Sequence, residues 1–380
     1  MIRILHFVSI ISINSGVMSF IMNYYRNINR ENVQFDFLCW SKGDDIYVDE
    51  IKSLGGNIYY IPKPGLSKKY QKEIIEFFKS KFGVYSILHL HEVFLNMFIP
   101  PIARKYGIQH TIAHSHATMY SDKKLSALRN FILCLPIKKM VNHYFACSKD
   151  AGYLVYGKKY VDQGKVKIIN NAIDCEKFQY NEDTRMKIRK DMKLEDMFVI
   201  GHVGRFNPQK NHMFLIDIFY EVSKQKQNSM LMLVGEGPLQ EQVEEKIKEK
   251  NLSDRVLILN NRNDICDLLQ AIDVFVLPSI YEGLGIVLIE AQASGLKCYA
   301  TDIVPCEAKV TEELAYISLK ESAFKWANAI IEGQSNFKRQ NEIKRVHEAG
   351  YDIKTEAEKL ERIYFSISKE GKRFIDNTYL

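Results

Sequence analysis

The segment Ala271-Ile-Asp-Val-Phe-Val-Leu-Pro-Ser-Ile-Tyr-Glu-Gly-Leu-Gly-Ile-Val-Leu-Ile-Glu290 carries the most information about the fold. Its first half is a short apolar, β-branched run closed by a Pro-Ser turn, the pattern of a buried parallel strand. Gly283 and Gly285 then break the chain ahead of a second apolar stretch, so the glycines sit where a strand hands over to a helix. Such a handover points backbone N–H groups and the positive end of a helix dipole at the space above the sheet, where a diphosphate fits. Two carboxylates, Glu282 and Glu290, frame the turn eight positions apart. Eight helical residues rotate by about 800°, which would leave the acids about 80° apart if both were helical. Different tasks are therefore expected. Glu282 would lie in the loop beside the group attached to the phosphates, and Glu290 more than a turn inside the helix, where a carboxylate can accept two hydrogen bonds from a ribose diol. Residues 281–290 also read as a plain helix N-terminus with one acid near the dipole and one on a solvated face.

Working outward, 380 residues are too many for one ordinary core and suit two domains of roughly 150 to 200 residues. With 46 % hydrophobic and 26 % charged residues, the composition is that of a soluble globular protein rather than a disordered one. The seven cysteines are scattered, odd in number and free of any Cys-x-x-Cys pair, which fits reduced thiols in a cytosol and argues against a disulfide framework or a structural zinc. Met1-Ile-Arg-Ile-Leu-His-Phe-Val-Ser9 reads as a buried first strand; its apolar run is soon interrupted by Asn14, Ser15 and Gly16, unlike a signal peptide, and no transmembrane span is expected. A net charge of +6 spread along the chain permits an anionic ligand or membrane surface without calling for nucleic acid.

Strands are predicted at 2–8, 33–39, 57–61, 87–91, 110–114 and 143–146, with amphipathic helices between them, for example 69–81 and 94–105. This βαβα rhythm predicts a mainly parallel sheet with right-handed crossovers. It lapses into a charged helical stretch at 176–197 and restarts at Phe198-Val-Ile-Gly-His-Val-Gly204, continuing at 230–235, 256–259, 274–277 and 296–300. The predicted fold class is thus α/β, with two Rossmann-like, doubly wound parallel-sheet domains in tandem. Ligands of such sheets bind beyond the carboxyl ends of the strands, so two facing crevices would define a central cleft.

At the end of the strand at 198–203 the chain reads Gly204-Arg205-Phe-Asn-Pro-Gln-Lys210. The glycine permits a tight turn, while a guanidinium fork and a mobile ammonium can meet a pyrophosphate from two directions. An ordinary basic loop has the same composition. The Gly235-Glu-Gly-Pro238 turn would let the chain leave the sheet, and the polar loop Asn260-Asn-Arg262-Asn263-Asp264 could line a base or simply be solvated.

Together these pieces resemble retaining GT-B glycosyltransferases of family four, a group that includes bacterial capsule and exopolysaccharide enzymes. The resemblance rests on Gly204-Arg205…Lys210, Val234-Gly-Glu-Gly-Pro238, Arg262-Asn-Asp264, Asp273-Val-Phe-Val-Leu-Pro-Ser279 and Glu282-Gly-Leu-Gly…Glu290-Ala-Gln-Ala-Ser-Gly295. It extends more loosely to Asn14-Ser-Gly-Val-Met18 and Asn171-Ala-Ile-Asp174…Phe178. It implies a GT-B architecture with an acceptor-binding domain at 1–178, a nucleotide-sugar domain at 179–350 and a C-terminal helix at 351–380 that crosses back to the first domain. It also implies that Arg205 and Lys210 neutralise the donor diphosphate, Glu290 binds the ribose and Glu282 contacts the transferred sugar. Gly204, Arg262, Asn263 and the backbone of Gly283, Leu284, Gly285 and Ile286 would complete the donor site, with Gly16 approaching from the other domain. His114 matches the family's active-site histidine best, with His116 close by. The chain departs from the family pattern at Ala172, Asn260 and Lys297, where glycine, glycine and proline are common.

The activity implied is retaining transfer of a sugar from a nucleotide-sugar donor, UDP-linked, to a glycan carried on a polyprenyl diphosphate. No cofactor is expected, and no metal. The apolar stretch within 123–139, bracketed by lysines, could rest on an anionic membrane or form a core helix with solvated ends, and Pro136 interrupts either. The expected location is the cytoplasm, peripheral on the inner face of the membrane. The rivals are a nucleotide-sugar epimerase of the same fold, which needs no acceptor, and a non-catalytic partner subunit, in which the charged pocket would erode.

Overall fold

The computed structural model describes residues 1–13, 15–43, 45–121, 123–260 and 262–376. Asn14, Asn261 and residues 377–380, which belong to stretches singled out above, lie outside the described residues. Strands β1 (Ile2–Ile10), β2 (Val33–Ser41), β3 (Ile58–Tyr60), β4 (Ile87–Leu90), β5 (His110–Ser115), β6 (His143–Ala146) and β7 (Val166–Ile168) form one sheet in the order β3-β2-β1-β4-β5-β6-β7. Strands β8 (Phe198–Val203), β9 (Ser229–Val234), β10 (Val256–Leu259), β11 (Val274–Leu277), β12 (Lys297–Thr301) and β13 (Leu314–Ile317) form a second in the order β10-β9-β8-β11-β12-β13. Every strand pairing in both sheets is parallel. Both orders reverse once, between β1 and β4 and between β8 and β11, and such a switch point opens a crevice at the carboxyl ends of the strands.

Two compact units follow, Met1–Ala172 with Ile353–Leu380, and Ile173–Asp352. The charged stretch after 176 belongs to the second unit. Its helices Cys175–Phe178 and Glu182–Asp191 pack on the helix Ile265–Ala271, and Arg185 and Arg189 both bind Asp273 at the foot of β11. In the first unit the last helix, Ile353–Asp376, lies on the helix Gly16–Asn27 and buries Ile353, Ala357, Leu360, Tyr364 and Ile367, a stripe at helical spacing. Asn32 donates to Glu361 at 2.8 Å and ties that helix to the loop before β2.

Two local expectations are corrected. The helix predicted over 94–105 is a 3-10 turn at Val93–Leu95 followed by a helix at Pro100–Lys105. Proline is accommodated in a helix's first turn and not in its interior, so Pro100 and Pro101 set the start. The sequence pattern predicts neither β7 nor β13; β7 spans three residues and most of β13 is only half-buried, which leaves little apolar periodicity to read.

Candidate functional site

In the second unit the loops following β8 and β11 are stitched together at the switch point. Gln209 accepts from the Ile280 N–H at 2.8 Å through its backbone carbonyl, and its side chain donates to the Tyr281 carbonyl at 3.1 Å. Asn211, in the left-handed region at φ 55°, donates its side-chain amide to the Pro278 carbonyl at 3.1 Å. The turn after β9 closes on the same loop, with Phe206 N–H donating to the Glu236 carbonyl at 3.0 Å. A Cβ on Gly237 would stand 2.5 Å from the Phe206 carbonyl oxygen, so this glycine serves close approach of two loops, a more demanding task than letting the chain leave the sheet.

This stitching brings Lys210 to Glu282. The Lys210 ammonium donates to Glu282 Oε1 at 2.6 Å, the Ser279 hydroxyl donates to the same oxygen at 2.6 Å, and Gln209 approaches Oε2 at 3.4 Å. The Lys210 and Glu282 side chains are 15 % and 6 % exposed. Gly285, at φ 77°, caps the helix Ile286–Ala293, so Glu290 is its fifth residue and Glu282 lies in the loop before it. Burial pushes the Glu290 carboxyl up to about 7, with Lys210 pulling the other way. Among the described residues its carboxylate has no hydrogen-bond partner, although it retains some exposure. Beneath Lys210, His202 and His212 pack edge to face with centroids 4.7 Å apart. Burial, assisted by Lys210, holds them down to about 4 and about 2, so both rings are neutral at physiological pH. Lys210 thus has two acids and two neutral rings as neighbours. Arg205 is exposed and makes no ion pair among the described residues, which leaves its guanidinium available to an anion.

The other predicted residues of this unit are less closely gathered. Arg262 binds Asp264 in its own loop at 2.7 Å, and Asn263 is exposed. Gly204 is fixed by its N–H to the Val234 carbonyl at 2.9 Å; Gly283 and Ile286 are half-buried, and Leu284 and Gly285 buried, along the turn into the helix. Gly16 and His114 belong to the first unit. Gly16 opens the helix Gly16–Asn27, whose N-terminus Ser15 caps by accepting from the Met18 N–H at 3.3 Å.

His114 is fully buried, and it is one member of a group that sequence reasoning passed over. His6 on β1, His89 and His91 at the end of β4, and His114 and His116 at the end of β5 project to one face of the first sheet. His6 Nδ1 meets His91 Nε2 at 2.9 Å, and His91 Nδ1 meets His116 Nε2 at 2.8 Å. His89 Nε2 meets His114 Nδ1 at 3.1 Å, and the Tyr364 hydroxyl reaches His89 Nδ1 at 2.7 Å. Burial holds all five rings well below the ordinary imidazole range, His116 at about 3. Only His116 reaches the surface. Polar residues at alternate positions in otherwise apolar strands, as in Leu88-His89-Leu90-His91, were the available signal.

The segment 123–139 forms the helix Lys124–Cys134, a break at Pro136 and a short helix, Ile137–Met140. Most of its large apolar residues face outward: Leu125 is 86 %, Leu128 57 %, Ile132 54 % and Leu135 62 % exposed, whereas Asn130, Cys134 and Ile137 face inward. Lys123, Lys124, Arg129, Lys138 and Lys139 are exposed around them. Among the described residues, no helix is long and apolar enough to cross a membrane.

Residues 184–347 match the family model for glycosyl transferases group 1. Over its whole length the chain is similar to EpsF of Bacillus subtilis (strain 168), a provisionally assigned glycosyltransferase, with 33 % identity covering 98 % of each chain. It is also 27 % identical, over 80 % of each chain, to an Escherichia coli enzyme named UDP-Gal:alpha-D-GlcNAc-diphosphoundecaprenol alpha-1,3-galactosyltransferase. Among solved structures, HepE of Anabaena in complex with UDP and glucose superposes with a TM-score of 0.77 at 17 % identity, covering 96 % of this chain and all of that one, a likeness of fold.

Proposed function

The chain belongs to the group 1 glycosyltransferases, and on that premise we propose that it moves a sugar, with retention of configuration, from a UDP-linked donor to a glycan carried on a polyprenyl diphosphate. The observation that carries this reading is the convergence of Lys210, Glu282 and Glu290 beside the exposed Arg205 at the switch point of the second sheet. The E. coli relative, whose name specifies a UDP-sugar and a diphosphoundecaprenol acceptor, supports the choice of both substrates.

Arg205 and Lys210 neutralise the diphosphate, Glu290 accepts from the ribose hydroxyls, and Glu282 orients the transferred sugar. Gly204 and the turn Gly283 to Ile286 border the phosphates and sugar, while Arg262 and Asn263 lie toward the base. As the glycosidic bond stretches, charge grows on the leaving diphosphate, and stabilising that charge is the protein's main task. The departing phosphate takes the acceptor's proton on the same face of the sugar. Glu282 suits an orienting role better than a basic one, because Oε1 already accepts from Lys210 and Ser279. The cations and the helix N-terminus at Ile286 supply the charge without a divalent ion, so a chelator should leave turnover intact; loss of activity restored by magnesium would refute this. In the first unit, His116 is better exposed than the fully enclosed His114 to touch a ligand.

The outward apolar face of Lys124–Cys134 with its surrounding cations supports peripheral attachment to the anionic inner face of the cell membrane, where a lipid-linked acceptor resides. The intact set of Arg205, Lys210, Glu282 and Glu290 favours catalysis over a non-catalytic partner role. The decisive experiment is a panel of nucleotide sugars scored by thermal shift. A ligand at about 100 times its Kd adds roughly 2.7 kcal/mol of stability. UDP-sugars should stabilise and GDP-sugars should not, and conversion of the donor sugar without an acceptor would point to epimerisation instead.

A further inference from the structure

We propose that His91, His114 and His116 form a binding site for one divalent cation of the zinc class. Each residue offers one ring nitrogen, and the three atoms lie within 4.8 Å of one another. A tetrahedral ion with metal–nitrogen bonds of about 2.0–2.1 Å would hold its ligand atoms about 3.4 Å apart, so binding requires the His114 and His116 rings, now stacked with centroids 4.1 Å apart, to separate and turn toward a shared point.

The surroundings resemble those of metal-binding histidines. Metal-bound imidazoles commonly have their second nitrogen fixed by an outer hydrogen bond. Here Nε2 of His91 is held by His6 at 2.9 Å, and Nδ1 of His114 by His89 at 3.1 Å, with His89 itself anchored by the Tyr364 hydroxyl at 2.7 Å. His114 Nε2 is buried and has no partner among the described residues. His116 is partly exposed and provides the entry, which the neighbouring set His6, His89 and His91 lacks, since all three are buried. An ion would replace the present 2.8 Å contact between His91 and His116, leaving a fourth position for water. Three imidazoles without a carboxylate select zinc, cobalt, nickel or copper over magnesium or calcium, which prefer oxygen.

The site shares no residue with the donor-binding set of the second unit. It rests on the proposed function in one respect: with His116 placed against a ligand there, a bound ion would tie up His114 and His116, so zinc is expected to inhibit transfer while removal of metal does not.

The test uses the full-length protein, stripped with a chelator, desalted and titrated with cobalt(II). One cobalt per chain should bind with the visible ligand-field bands of a low-symmetry site and be displaced by zinc but not by magnesium. His116→Asn, at the partly exposed position, should weaken cobalt binding at least tenfold with an unchanged circular dichroism spectrum, while His347→Asn in the second unit should not. If His116→Asn misfolds, zinc protection of His116 in the wild-type protein against carbethoxylation, mapped by peptide mass spectrometry, decides the matter. Absence of saturable one-to-one binding, equal binding by a folded His116→Asn variant, or no protection of His116 would overturn the proposal.

Discussion

Lys210 and Glu282 form an enclosed ion pair, Nζ to Oε1 at 2.6 Å, between loops that follow two different strands of the second sheet. The carboxylate is also held by Ser279 and Gln209, so it is better supplied with donors than the ammonium is with acceptors. Removing one member of a buried pair strands the other without its counter-charge, a loss of about 3–5 kcal/mol, whereas removing both costs less. Lys210→Ala should therefore lower the unfolding free energy by about 3 kcal/mol, and Lys210→Ala/Glu282→Ala should recover part of that loss. Urea unfolding of the four proteins in the double-mutant cycle measures the coupling; a value near zero would mean that the pair is not maintained in solution.

Arg205 presents the opposite situation, because it is exposed and unpaired among the described residues. Arg205→Ala should leave stability within about 0.5 kcal/mol of wild type. Turnover should nevertheless fall at least tenfold, about 1.4 kcal/mol of transition-state stabilisation. A smaller loss in a steady-state assay with the preferred nucleotide sugar would remove the phosphate role from this residue.

The contrast between these two cations marks how far the sequence could be read. That Gly204, Arg205 and Lys210 follow a strand was legible from the apolar run Phe198 to Val203, and the handover at Gly283 to Gly285 was legible in the same way. The pairing of Lys210 with Glu282 was not, since 72 positions separate them and only the parallel register of β8 against β11 brings their loops together. Likewise, His114 and His116 stood out as a local pair, but His6 and Tyr364 reach the same cluster from the first strand and the last helix. Local periodicity reports which face a side chain takes, and tertiary register decides what it meets there.

Glu290 should make donor binding depend on pH. Its carboxyl is raised to about 7 in the folded chain, and accepting two ribose hydroxyls requires the ionised form. kcat/KM for the donor should consequently fall as pH drops below about 7, and Glu290→Gln should flatten that limb of the profile while lowering its plateau. Stability moves the other way. A group whose folded pKa is raised holds its proton more tightly in the native state, so the fold loses stability as pH rises from the ordinary carboxylate range through about 7. Glu290→Gln should thus be more stable than wild type near pH 8 and little different near pH 5, measured by urea midpoints. Equal midpoint differences at both pH values would show that Glu290 is not the titrating group.

The helix Lys124–Cys134 inverts the usual arrangement, with Leu125, Leu128 and Ile132 outward and Asn130 inward. Since these leucines contribute little to the core, Leu125→Glu/Leu128→Glu should leave the unfolding midpoint unchanged. Inserting a leucine side chain into an apolar phase is worth roughly 1.5–3 kcal/mol when burial is complete. Even partial burial of two such residues, together with repulsion between the new carboxylates and anionic headgroups, should weaken co-sedimentation with anionic vesicles at least tenfold. Binding of the wild-type protein should also decline with salt, because exposed lysines act within a Debye length of about 10 Å at 0.1 M ionic strength. If the attachment serves delivery of a lipid-linked acceptor, the double variant should lose transfer to an acceptor embedded in vesicles while keeping transfer to a short-chain acceptor that stays in solution. Equal loss on both acceptors would place the helix in the transfer machinery instead of at the membrane.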